Sequence, residues 1–196
     1  MKKSCFILLI ITLLSACSKD VMDRTIFIPD ENDYNLPAYT EWGYNSFGAE
    51  YEREYFLASN SIIPCKITYH DNQLQFALSG IITGYYWKTT TLSFIFPPST
   101  PMPDYTDLVK LDGVKINLTD NGCMVKMEQD GDETTLTVVE GELYFKRTQL
   151  LSIDDKVNRV ILSGTFDLRF LQNNQPSYLS NGRFDLGITK NVFYSY

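Results

Sequence analysis

The chain of 196 residues carries 17 basic and 24 acidic side chains, a formal net charge of −7 at pH 7. A surface this acidic repels phosphate backbones and anionic headgroups, which argues against nucleic acid as a partner and against electrostatic attachment to a membrane. Aromatic residues make up 14% of the chain, with 13 Tyr and 12 Phe, a content that favours strands over helices.

Met1-Lys2-Lys3 is followed by a nearly unbroken apolar run from Cys5 to Leu14 and then by the small pair Ser15-Ala16. A charged start, a short apolar middle and small residues at the cut make a secretory signal. The run stops at Ser18-Lys19-Asp20, short of the roughly 20 residues that a membrane-spanning helix needs. Leu14-Ser15-Ala16-Cys17 resembles the lipobox of bacterial lipoproteins. That resemblance implies cleavage before Cys17, a diacylglycerol on its sulfur and acylation of the new amino group, and two or three acyl chains hold a protein durably in a membrane. Ser18 stands where an inner-membrane retention signal has Asp, so the resemblance implies the outer membrane. Ser18-Lys19-Asp20 also resembles the short Lys-acidic signal that sends Bacteroidota lipoproteins to the outer leaflet, which makes display at the cell exterior an expectation.

Loss of residues 1–16 removes Lys2 and Lys3 and carries the net charge from −7 to −9. Residues 17–36 are acidic and turn-rich around Pro29-Asp30-Glu31-Asn32-Asp33, and read as the lipidated cysteine with a flexible tether. The domain expected from 37–196 shows no apolar period of 3.6 residues sustained over three turns. Strand signals take its place. Phe47–Leu57 is the first run; Cys65–His70 and Gln73–Leu78 flank the turn pair Asp71-Asn72 and predict a hairpin. Strands are expected at Tyr85–Lys88 and Thr90–Phe96, before the prolines of Pro97–Pro103 end regular pairing. Tyr105–Leu111 fits a turn of helix and Val114–Leu118 a short strand. Cys123–Glu128 and Thr134–Val139 flank Asp130-Gly131, a second hairpin signal. Glu142–Ile153, Arg159–Phe170 and Tyr178–Ile188 close the chain as long strands.

Strands at this spacing without intervening helices predict an all-β domain, an antiparallel β-sandwich, with an open or closed lipocalin-like barrel as the alternative. After removal of Cys5 and lipidation of Cys17, Cys65 and Cys123 remain, and outside the cytoplasm they either pair or stay as two buried thiols.

Tyr44-Asn45-Ser46-Phe47-Gly48-Ala49 resembles the Asn-Thr-Phe-Gly-Cys opening of small Bacteroidota lipoproteins, and Leu36-Pro37-Ala38-Tyr39-Thr40 resembles their lead. Ile161–Leu168 resembles their Ile-Ser-Gly-Thr-Phe strand, and Asn181-Gly182-Arg183-Phe184-Asp185-Leu186 their closing Asp-Gly-Arg-Phe-Asp-Val strand. These landmarks bracket residues 36–188. The resemblance implies an outer-membrane address and a C-terminal all-β domain of no assigned function.

No catalytic group stands out. His70 is the only histidine and sits at a turn; no nucleophile elbow, phosphate-binding glycine loop or zinc spacing is present, and no cofactor or metal is expected. Asp130, Asp132 and Glu133, like Asp154 and Asp155, lack the spacing of a calcium loop. The aromatics Trp42, Tyr85, Tyr86 and Trp87 are candidates for ligand contact, because consecutive aromatics in a strand cannot all face the core. The sequence therefore points to a lipid-anchored, non-enzymatic binding or accessory module that recognises a glycan or a protein. The alternatives are a hydrolase with dispersed carboxylates and a lipocalin-like carrier of a small apolar ligand.

Overall fold

The computed structural model describes residues 24–60, 63–84, 88–154, 156–172 and 174–196. Twelve strands among them form one sheet: β1 (Ser46–Tyr51), β2 (Glu54–Ala58), β3 (Cys65–His70), β4 (Gln73–Ile82), β5 (Lys88–Phe96), β6 (Lys115–Asn117), β7 (Met124–Gln129), β8 (Asp132–Thr135), β9 (Thr137–Ile153), β10 (Lys156–Gln172), β11 (Gln175–Ile188) and β12 (Phe193–Ser195). A 3₁₀ helix, Tyr105–Leu111, occupies the position expected for a helical turn.

The strand order is β6-β9-β10-β11-β1-β2-β4-β5-β7-β8. Strand β4 hands its outer edge from β3 at Cys65–His70 to β2 at Phe56–Ala58, and β12 runs parallel to β3. All other pairings are antiparallel, and the sheet does not close on itself. The fold is all-β and sandwich-like. The closed form of the barrel alternative fails on this open sheet.

Phenylalanines fill the space between the facing layers. Phe76 of β4 lies 5.1 Å from Phe184 of β11 and 5.5 Å from Phe145 of β9, centroid to centroid, and Phe94 of β5 lies 5.5 Å from Phe166 of β10. All five rings are buried. These rings pack directly against one another across the interior. Close approach needs residues without Cβ: one placed on Gly164 would lie 2.1 Å from the Tyr144 carbonyl oxygen and 2.6 Å from the Phe184 ring.

Local sequence explains the turns. Asp71 and Asn72 take φ of 50° and 57°, and Asp130 and Gly131 take 53° and 95°, the left-handed values a two-residue hairpin requires. The Phe47–Leu57 run is split into β1 and β2 by a turn at Glu52, also at positive φ. The long strands β9 and β10 begin before the expected limits, at Thr137 and Lys156.

The N-terminal part of the described chain departs from the flexible tether expected over residues 17–36. From Arg24 to Asn45 the chain lies as a strap against the sheet: the Ile26 N–H donates to the Tyr44 carbonyl at 2.8 Å, Asp30 to Leu36 at 2.9 Å and Ala38 to Ile28 at 2.6 Å. Its turn residues bond within the strap, Asp30 Oδ1 accepting the Asn32 N–H at 2.8 Å, and Leu36 is fully buried. Burial of one leucine contributes roughly 1.5–3 kcal/mol toward holding the strap against the sheet, beside its hydrogen bonds.

Removing the ring that bridges the two layers should be costly. Phe184→Ala is expected to lower the stability of the domain by about 3–5 kcal/mol, read as a fall in the urea midpoint with an unchanged slope.

Candidate functional site

Strand β11 carries two different outer-face features, and a bulge separates them. Between Leu179 and Arg183 it has one residue more than either neighbour, against β10 and against β1 alike, and Asn181 there takes φ of 53°. Beyond the bulge, Arg183 and Asp185 face the strap. Before it, Tyr178 and Ser180 line a cleft.

On the strap side, Asp185 is 1% exposed and accepts five hydrogen bonds. The donors are Thr40 Oγ1 at 2.5 Å, the N–H groups of Trp42, Gly43 and Tyr44 at 3.2, 2.7 and 3.2 Å, and Ser163 Oγ at 2.9 Å. Arg183 Nη1 reaches Asp30 Oδ2 at 2.6 Å. The Asn32 N–H, ahead of the Arg183 guanidinium, holds the Asp30 carboxyl below its ordinary range. Asn45 Oδ1 accepts the Gly187 N–H at 3.0 Å. The stretches that resemble lipoprotein landmarks thus fall on the lead into β1 and on β10 and β11, three neighbours in the sheet, and fasten one another.

On the other side, β9, β10 and β11 form the floor of an open cleft of about 840 Å³, edged by Asn117 and Thr119. Glu142 and Asp167 are cross-strand partners in it. Directly opposed residues of an antiparallel pair have Cβ atoms about 4.5–5.5 Å apart. Lys115 Nζ stands 3.2 Å from Glu142, and Arg169 Nη1 stands 3.4 Å from Glu140. Asp167 accepts the N–H of the bulged Asn181 at 3.0 Å, and Asn181 Nδ2 donates to Glu50 at 2.7 Å. The cleft walls partly desolvate Asp167 and push its carboxyl up; the Asn181 N–H pulls the other way, and Glu142 pushes it further up. Tyr178, on the same floor, is an exposed aromatic. The arrangement offers carboxylate, amide and hydroxyl groups beside one ring face.

Several residues singled out from the sequence lie elsewhere. Cys17, Tyr85, Tyr86 and Trp87 fall outside the described residues. Trp42 is 72% exposed on the strap and does not line the cleft. Cys65 and Cys123 are free thiols. Cys65 pairs with Leu78, level with Leu92, whereas Cys123 lies beyond Met124, which pairs with Ile95. That leaves them three strands apart, ~14 Å across the sheet and ~13 Å along it, well past the ~7 Å Cα limit of a disulfide. Burial pushes both thiols up, with Asp120 adding to the effect at Cys123. His70 is exposed at its turn, 3.0 Å from Asp71. Among the described residues no group of three His, Cys, Asp or Glu side chains could hold a metal ion.

The cleft residues were missed because their signal is spread over four strands. Glu142, Asp167 and Tyr178 are the outward members of alternating runs, indistinguishable in sequence from any solvated strand face. Only the Asn181-Gly182 pair, an apt sequence for a positive-φ bulge, marks the place.

Two substitutions test these assignments. Asp185→Asn sets an amide N–H₂ against donors, and at ~1–3 kcal/mol per buried donor left unpaired it should cost roughly 3 kcal/mol or more, with faster hydrogen exchange at Gly43 and Tyr44. Asp167→Asn should act oppositely. A carboxyl raised in the folded chain leaves stability intact at and below the ordinary carboxylate range and lowers it as the pH climbs through the raised value. The variant should therefore be more stable than the parent at pH 7 and equal to it in acid, measured by urea unfolding at both pH values. No family model, no curated protein and no solved structure matches the chain.

Proposed function

We propose that the protein is a lipid-anchored lipoprotein of the outer membrane whose β-domain binds a polar, hydroxyl-rich ligand of the glycan class in the β9–β10–β11 cleft, without transforming it. The address rests on Leu14-Ser15-Ala16-Cys17 and on Ser18 after it. The ligand class rests on the cleft. Its carboxylates and amides accept and donate hydrogen bonds as sugar hydroxyls require, and Tyr178 supplies a face on which a ring can lie. Its floor is built from long, well-paired strands, so the groups are held in place before a ligand arrives.

The facing pair Glu142 and Asp167 favours a second reading, a hydrolase in which a raised acid protonates a leaving oxygen beside a second carboxylate. The ion pair between Glu142 and Lys115 ties up one of the two and favours binding over catalysis.

A glycan array followed by calorimetry on the full chain tests the proposal. A soluble oligosaccharide should bind and be recovered unchanged. Tyr178→Ala should weaken binding about tenfold or more. Because an ionised carboxylate accepts hydroxyl hydrogen bonds better than a neutral one, affinity should fall as the pH drops through the raised Asp167 value. Asp167→Asn should flatten that dependence. An array without hits overturns the binding proposal, and recovery of shortened oligosaccharide installs the hydrolase.

A further inference from the structure

Near its start the strap carries an apolar patch that the other described residues leave exposed. Ile26, Phe27 and Ile28 are 42%, 46% and 40% exposed. Successive side chains of an extended segment point to opposite sides, so a segment with one side buried would hide one set of them; here both sets remain open. The exposure is not that of a fraying end, because the Ile26 N–H and the Ile28 carbonyl are both engaged with the returning limb of the strap. Trp42, 72% exposed, stands two residues from Tyr44, the partner of Ile26. Three exposed aliphatic or aromatic neighbours and an exposed tryptophan on the returning limb of the strap have the composition of a membrane-interface anchor, in which Trp sits at headgroup level.

The position of the patch names its occupant. Eight residues, Ser18–Thr25, separate Cys17 from Ile26. An extended chain advances at most ~3.6 Å per residue, so a lipid on Cys17 keeps Ile26 within about 30 Å of the bilayer. We infer that Ile26, Phe27, Ile28 and Trp42 form a surface that rests on the bilayer holding the Cys17 lipid; the inference depends on lipidation at Cys17. The acidic domain gains nothing from anionic headgroups, so the contact is apolar and indifferent to salt. It also sets orientation. The patch lies at the Asp185–Gly187 end of β11, and the cleft at its Tyr178–Ser180 end, about 25 Å along the strand. With the patch on the bilayer, the cleft stands at the far end of β11 from it.

The test uses full-length, lipid-modified protein in phosphatidylcholine vesicles. Trp87→Phe leaves Trp42 as the sole tryptophan. Acyl-brominated lipid should quench the Trp42 emission by half or more, equally at low and high salt, and Phe27→Asp with Ile28→Asp should abolish the quenching while the far-ultraviolet dichroism stays unchanged. In the unsubstituted protein, vesicles should slow deuterium uptake at Phe27. Mass spectrometry of the same sample separates the two claims. An acylated Cys17 with unquenched Trp42 and unchanged uptake at Phe27 overturns the bilayer surface alone. An unmodified Cys17 overturns the anchor and this inference with it.

Discussion

A carboxylate taken out of water must find its hydrogen bonds inside the protein, and for Asp185 the donors come from two stretches of chain far apart in sequence. Three are consecutive N–H groups of the strap, one is a strap hydroxyl and one is Ser163 on the neighbouring strand. The unpaired charge would cost far more than any single bond returns, so the strap and the carboxylate are each obligatory for the other. Consequences spread from there. Val160–Gly164 of β10 are buried in unbroken succession rather than alternately, one side by the phenylalanine layer and the other by the strap near Gly43 and Ile161. A strand in the first layer of a sandwich thus acquires the two-sided burial usual in a central parallel strand.

The bulge at Asn181 divides β11 into two working halves. On the strap side its outward residues are consumed by structure; on the cleft side they are left for solvent. The extra residue turns the Asn181 N–H onto Asp167 and its amide onto Glu50, so the same irregularity both interrupts the ladder and sets the polar floor of the cleft. Sheet bulges often serve to re-aim side chains beside a site. The raised Asp167 carboxyl shows the cost in stability of holding acids close together in a partly desolvated groove.

Much of the architecture was legible from local chemistry. The turn pairs Asp71-Asn72 and Asp130-Gly131 announced their hairpins, and alternation such as Leu74-Gln75-Phe76 announced β4. Topology was not, because the seating of β1 beside β11 is a property of pairs separated by more than a hundred residues. The strap was misread for a related reason: Pro29–Asp33 has the composition of coil, and what orders it lies on β11. Asp185 looked like one more solvated acid in an alternating strand. Its burial depends on Thr40–Tyr44, which no window around residue 185 contains.

The strap also determines how the molecule bears load. Whatever holds the N-terminal end of the chain is joined to the sheet through Asp30 and Arg183, then through Asp185, and only afterwards through β1. These contacts stand in series, so a pull would release them one at a time while the ten-strand path of the sheet stayed untouched. Up to about 70 Å of chain, the contour of residues 24–44, would pay out before tension reached β1. The strap would act as a sacrificial extension, which protects the fold and lets the cleft move outward under strain without losing its shape.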